Sequence, residues 1–307
     1  MKNNKLKGGL LITLGAGCYG MLGTYVKMAY LAGFNTAEVT ISQFSLGVTG
    51  LFILTLFQKG SSNNSASIPA IRSKVRLTIA GTSLGLTSVF YYLSVKYIPV
   101  SVAIVLLAQS VWMGVLLESI VRRKVPAAGR LLSVVVIMAG TLLATAVLKQ
   151  SVSLSWKGFA YGIAGALCYT ATMYSTNHLD THFPPLKRSL CMIAGGLIII
   201  LCVFHAFINT EFSWKIFLGW GLLVSLFGTV LPPLLFTRGM PLAGMGLGAI
   251  LASIEIPISI IMAKILLHEQ VIASQWMGVG LILGAVVLMN IPRRNFQIQN
   301  KIYGNTN

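Results

Sequence analysis

Only six acidic residues occur in the 307-residue chain, and five of them lie at or near the ends of long apolar stretches: Glu38, Glu118, Asp180, Glu211 and Glu269. Glu255 is different, because it falls near the middle of the apolar run 241–267. A carboxylate in such surroundings costs roughly 2.5–3.5 kcal/mol on insertion scales, so it faces a cavity or a partner. Two roles fit it: a group that meets a solute or a proton, or a structural hydrogen-bonding group that fixes helix contacts. Two residues on, Pro257 removes the N–H that would bond the Ser253 carbonyl. A carboxylate, a loosened backbone acceptor and the Ser253 hydroxyl are thereby expected within one turn.

Gln109 and Ser110 occupy the middle of another apolar run, level with Ser253 and Ile254 when the two runs are aligned. A glutamine there can hold a solute or tie two helices together, and both readings stand. Gln43 offers the same choice in a third run. Tyr19, Tyr91, Trp112 and Tyr169 also lie within apolar runs. Their rings combine apolar contact with one hydrogen bond, which suits an amphipathic or aromatic solute as well as ordinary packing.

Other chemistries lack their residues. Cys18, Cys168, Cys191 and Cys202 show no metal-ligand spacing, and His178, His182, His205 and His268 sit near run ends. Gly81-Thr82-Ser83-Leu84-Gly85 matches G-x-S-x-G, but it lies inside an apolar run, whereas a nucleophile elbow needs a strand-to-helix turn. No H-E-x-x-H, phosphate-binding loop or dinucleotide fingerprint is present. The expectation is no enzyme, no cofactor and no metal, with any driving force drawn from a gradient or a separate ATPase.

The elements that position these residues follow from composition. The chain is 55% hydrophobic and only 9% charged, with a mean hydropathy of +0.81. A soluble domain carries about 25% charged residues, so this chain has too few to cover a water-facing surface. Its net charge of +17 does not indicate nucleic acid, because the basic residues fall between apolar runs. Ten stretches approach the ~20 residues that span a bilayer: 8–31, 36–57, 77–97, 99–121, 127–148, 158–178, 187–208, 215–237, 241–267 and 271–291. With the N-terminus cytoplasmic and every stretch crossing, 17 of the 23 Lys and Arg residues fall inside and 6 outside. That asymmetry is the positive-inside pattern, and it places both ends in the cytoplasm. Pro99 and Pro241 are expected at the starts of runs four and nine, and Pro232 with Pro233 is expected to break run eight and free the Gly228 and Thr229 carbonyls. Small-residue pairs such as Gly81/Gly85, Gly158/Gly162 and Gly280/Gly284 would let helices approach closely.

The chain also repeats itself. Residues 7–19 (KGGLLITLGAGCY) and 157–169 (KGFAYGIAGALCY) share six of thirteen positions, including Tyr19 with Tyr169. Lys96-x-x-Pro99 echoes Arg238-x-x-Pro241, and Leu107-Ala108 with Gly140 echoes Leu251-Ala252 with Gly284. Five runs per half is an odd number, so the second half enters the membrane from the opposite side. The expected fold is an all-α integral membrane protein of ten transmembrane helices in two inverted-topology repeats, residues 1–150 and 151–307.

On these residues the chain resembles the drug/metabolite transporter superfamily, and within it the EamA-type ten-span carriers. The most telling stretches are YYLSVKYIPVSVAIVLLAQ (91–109) and LASIEIPISIIMAKILLHE (251–269), the second similar to the family's Glu-Pro-containing ninth span that ends in an acidic residue, here Glu269. The resemblance implies a carrier in the cell membrane that exports a small organic metabolite, amino-acid-like or related, by alternating access. The two five-helix halves would rock about a midplane cavity. The expected partners are a small-molecule solute and the lipid bilayer, with protons and oligomeric state left open.

Overall fold

The computed structural model describes residues 2–57, 68–123, 125, 128–144, 155–180, 183–208, 212–243 and 251–290. Among the described residues there is no strand. Helices alone are what continuous apolar runs support where water cannot satisfy the backbone.

Three long helices open the chain: α1 (Lys2–Leu31), α2 (Thr36–Phe57) and α3 (Ile68–Tyr97). A reciprocal cap starts α2: the Glu38 N–H donates to Asn35 Oδ1 at 2.9 Å and the Asn35 N–H donates to Glu38 Oε2 at 2.7 Å. The fourth run is broken into α4 (Val100–Leu107) and α5 (Ser110–Arg122), and α6 (Ala128–Ala144) follows. Next come α7 (Trp156–His178), α8 (Pro185–Ile208) and a 3-10 turn at Trp214–Leu218. α9 (Trp220–Ser225) leads through a π-helical turn, Leu226–Val230, into α10 (Leu231–Ala243). The described chain ends with α11 (Glu255–Leu266) and α12 (Ala273–Asn290).

Among the described residues, four helical runs are long and apolar enough to cross a bilayer: Leu6–Leu31, Thr36–Phe57, Val100–Val121 and Pro185–Ala206. Leu131–Ala144, Trp220–Phe236 and Ala273–Leu288 are apolar but shorter. The molecule's outer face is apolar as well, with Leu10 and Leu14 of α1, Leu56 and Phe57 of α2, and Leu132 and Val135 of α6 all more than half exposed. A soluble monomer does not present so much apolar surface.

The prolines act as expected in part. Pro99, at φ −56° and ψ 146°, directly precedes α4. Pro241, by contrast, does not start a helix, because α10 continues through it to Ala243; near a helix end a proline forfeits few hydrogen bonds. Pro232 and Pro233 fall in the first turn of α10, and the chain adapts before them by widening into the π turn, where the Leu231 N–H bonds the Leu226 carbonyl.

Packing does not follow the two sequence halves. α3 lies chiefly against α7 and α8, and α7 also packs on α4 and α5. α1 lies chiefly against α10 and α11, while α2 contacts α9, the π turn and α8. α6 pairs with α12. Two bundles result, α3-α4-α5-α7-α8 and α1-α2-α9-α10-α11, each built from both halves. The expected rocking of contiguous five-helix halves would have to separate α3 from α7 and α8, which it packs against. Glycines make these contacts possible: a Cβ at Gly85 would stand 2.5 Å from the Gly196 carbonyl oxygen, and one at Gly158 2.6 Å from Ile98. Gly280 and Gly284 face open space instead.

Candidate functional site

Both interrupted helices break at the level the sequence marked. In the first, the Gln109 N–H bonds the Leu106 carbonyl at 3.1 Å and the Val111 N–H bonds the Ala108 carbonyl at 3.1 Å. In the second, the Ile254 N–H bonds the Leu251 carbonyl at 3.3 Å and the Ile256 N–H bonds the Ser253 carbonyl at 3.1 Å. These are i to i+3 bonds, the tightened turn with which an α-helix interrupts itself. The Ser253 carbonyl, expected to be loosened by Pro257, is thus taken up by Ile256.

Glu255 begins α11 immediately after the second break. It is half-buried. Tyr19, Tyr91 and Tyr169 all lie within its electrostatic reach. Three tyrosines placed on separate helices by the sequence therefore converge on one carboxylate. Close backbone approach makes this possible. A Cβ at Gly20 would meet the Glu255 carbonyl oxygen at 2.8 Å, so only a glycine in α1 lets α11 come this near. A Cβ at Gly23 would likewise run into the Tyr91 hydroxyl at 2.5 Å. Phe236 stacks on Tyr19 with ring centroids 5.9 Å apart. Ser259, one turn beyond Glu255 and fully buried, sets its hydroxyl beside that of Tyr91. A carboxylate with three tyrosines within its electrostatic reach can hold a polar or amine-bearing group while neighbouring rings cover an apolar body.

The other expected residues form separate networks. Gln109 uses both kinds of polar atom at its own break: Nε2 donates to the Val105 carbonyl at 2.8 Å and to Thr141 Oγ1 at 2.6 Å, and Trp112 Nε1 donates to Oε1 at 2.8 Å. It bridges α4, α5 and α6. Ser110 is buried, and its carbonyl accepts a long bond of 3.4 Å from Thr170 Oγ1, next to Tyr169. Gln43 is 1% exposed and accepts the Tyr92 hydroxyl, while its own carbonyl takes Thr229 Oγ1 at 3.2 Å. Gly228 leaves room for the Gln43 amide, which joins α2, α3 and the π turn.

Phe236 and Ser259 were not singled out by the sequence, and the side-chain roles of Tyr92 and Thr229 were not either. The first two were hidden as ordinary members of apolar runs. Tyr92 and Thr229 gain meaning only from partners 49 and 186 residues away.

Comparison with known proteins adds the following. The EamA-like transporter family matches the chain in two segments, residues 6–146 and 156–291. A crystal structure of a protein 13% identical in sequence shares the fold, with a TM-score of 0.63 over 92% of this chain and 98% of that one. No curated protein matches.

Proposed function

The chain belongs to the EamA-like transporter family of the drug/metabolite transporter superfamily, and from that premise we propose that it is a secondary carrier whose solute site is the seam at Glu255. As a multi-pass membrane protein of a transporter family it handles a small-molecule solute. Beyond that, the solute is an amino-acid-like or aromatic metabolite, moved by alternating access in the direction of efflux. The carrier has ten spans in two inverted repeats, residues 1–150 and 151–307, and resides in the cell (inner) membrane with both ends cytoplasmic.

The observation that carries this reading is a carboxylate set at a mid-helix break, with Tyr19, Tyr91 and Tyr169 of three other helices within its electrostatic reach. Discontinuous helices at the midplane are a recurrent way to build carrier sites. The repeat has support of its own, because the packing keeps its form when the halves are exchanged; the inversion rests on the odd number of runs per half. α1 on α10 corresponds to α7 on α3; α2 on α9 corresponds to α8 on α3; and α11 on α1 corresponds to α4 and α5 on α7. The bodies that rock are the two mixed bundles, with the Glu255 seam between them. Glu255, Ser253, Tyr19, Tyr91 and Tyr169 meet the solute, and Gln109, Ser110, Trp112 and Gln43 border it.

Counterflow in proteoliposomes tests this. Purified protein is first screened by thermal shift against amino acids, nucleobases and aromatic drugs, since a ligand of the folded state raises the melting temperature. The strongest hit should then show saturable uptake with a counterflow overshoot. Uptake that rises linearly with concentration, with no overshoot, would identify a channel and overturn the carrier.

A further inference from the structure

The hydrogen bonds that join the two bundles are unevenly placed. Among the described residues they lie between the breaks and the end where α1 finishes and α4 begins, the bond from the Tyr92 hydroxyl of α3 to Gln43 Oε1 of α2 included. Lys27 Nζ donates to the Val95 carbonyl at 2.7 Å, and the Tyr30 hydroxyl donates to the Tyr92 carbonyl at 3.1 Å, both from α1 to α3. The strongest group belongs to Glu269, just beyond α11. The Val100 N–H donates to its Oε1 at 2.7 Å, and the Ser101 N–H and hydroxyl donate to Oε2 at 3.1 and 2.6 Å. The carboxylate at the end of one bundle therefore caps the first turn of α4 in the other, where exposed N–H groups and the helix dipole favour negative charge. Lys27 lies within its electrostatic reach. At the opposite end the Ser73 hydroxyl donates to Asp180 Oδ1 at 2.7 Å, but α3 and the α7–α8 turn sit in the same bundle.

Sequence sharpens the asymmetry. The offset that sets Leu107 against Leu251 sets Val125 against Glu269, and the echo of Pro99 by Pro241 sets Leu242 and Ala243 against Val100 and Ser101. At the other face this latch would have neither carboxylate nor hydroxyl.

From these contacts we infer that Glu269 is the gate residue of the non-cytoplasmic face: its grip on the first turn of α4 closes that side of the seam, and the lack of its carboxylate and of the Ser101 hydroxyl at the repeat-related sequence positions favours a resting state open to the cytoplasm. This rests on the carrier reading and the topology proposed above. Glu269 acts on the solute only through the position of α4 and the break at its far end, so it is a positioning residue.

Thiol accessibility tests the latch. The four native cysteines are replaced by alanine, and Ala252→Cys places one reporter at the half-buried break beside Glu255. A membrane-impermeant maleimide is applied separately to each face of sealed vesicles. Without a latch mutation, the reporter should react from the cytoplasmic face only. Glu269→Gln should make it react from the opposite face about tenfold faster than before, the factor given by losing roughly 1.4 kcal/mol of charge-assisted bonding. Ser101→Ala, which keeps the carboxylate, should move the rate the same way by less, and adding it to Glu269→Gln should give little further gain. Unchanged opposite-face rates in both variants would overturn the latch and leave the carrier intact. A reporter that reacts from neither face or equally from both, before any latch mutation, would instead overturn the one-sided seam itself.

Discussion

In the proposed carrier, Glu255 is the residue on which solute chemistry turns. A glutamine in its place keeps the shape and cannot titrate. Glu255→Gln is expected to flatten the pH dependence of transport while leaving the melting temperature within a few degrees of wild type. Initial rates across a pH series in proteoliposomes check this, and an unchanged profile would remove Glu255 from coupling. Gln109 should behave differently, because its amide already bonds Val105, Thr141 and Trp112. Gln109→Leu strands these partners, so a loss of about 1–3 kcal/mol is expected, read as a lower melting temperature, with the shape of the pH profile retained. The sequence exposed Glu255 because a lone acid in an apolar run is conspicuous. It could not choose between the two readings of Gln109, since Thr141 lies in another run and only folding brings it near.

At the scale of elements, the informative features are the breaks and the close helix contacts. The level of both breaks was legible in the echo of Leu107-Ala108 by Leu251-Ala252. The π turn was legible only as a disturbance near Pro232 and Pro233; its form depends on the Leu231 N–H reaching back to Leu226. The glycine pairs were alike in sequence and differ in the fold. Gly85→Ala would force its methyl against the Gly196 carbonyl, where overpacking costs about 1–3 kcal/mol. Gly284→Ala meets nothing within 4 Å and replaces a poor helix former by the best one. Thermal melts in detergent should therefore show a fall for the first variant and no fall for the second. The opposite ranking would contradict the α3–α8 contact.

For the whole molecule, composition alone established the membrane and the repeat established two related halves. Composition could not show that the halves interleave, because α3 on α7 and α8 is a choice among equally apolar faces that sequence does not rank. In the proposed carrier, the same interleaving supplies the two moving bodies, with the Glu255 seam between them. All of it depends on the second repeat running opposite to the first. Lys96 and Arg238 are repeat partners and both exposed, so they report the orientation directly. Lys96→Cys and Arg238→Cys, each as the sole cysteine, can be labelled in intact cells with an impermeant maleimide. Labelling of position 96 from outside, with position 238 reached only after the membrane is opened, is the expected result. Both positions labelled from the same face would mean parallel repeats, with no inverted seam at Glu255.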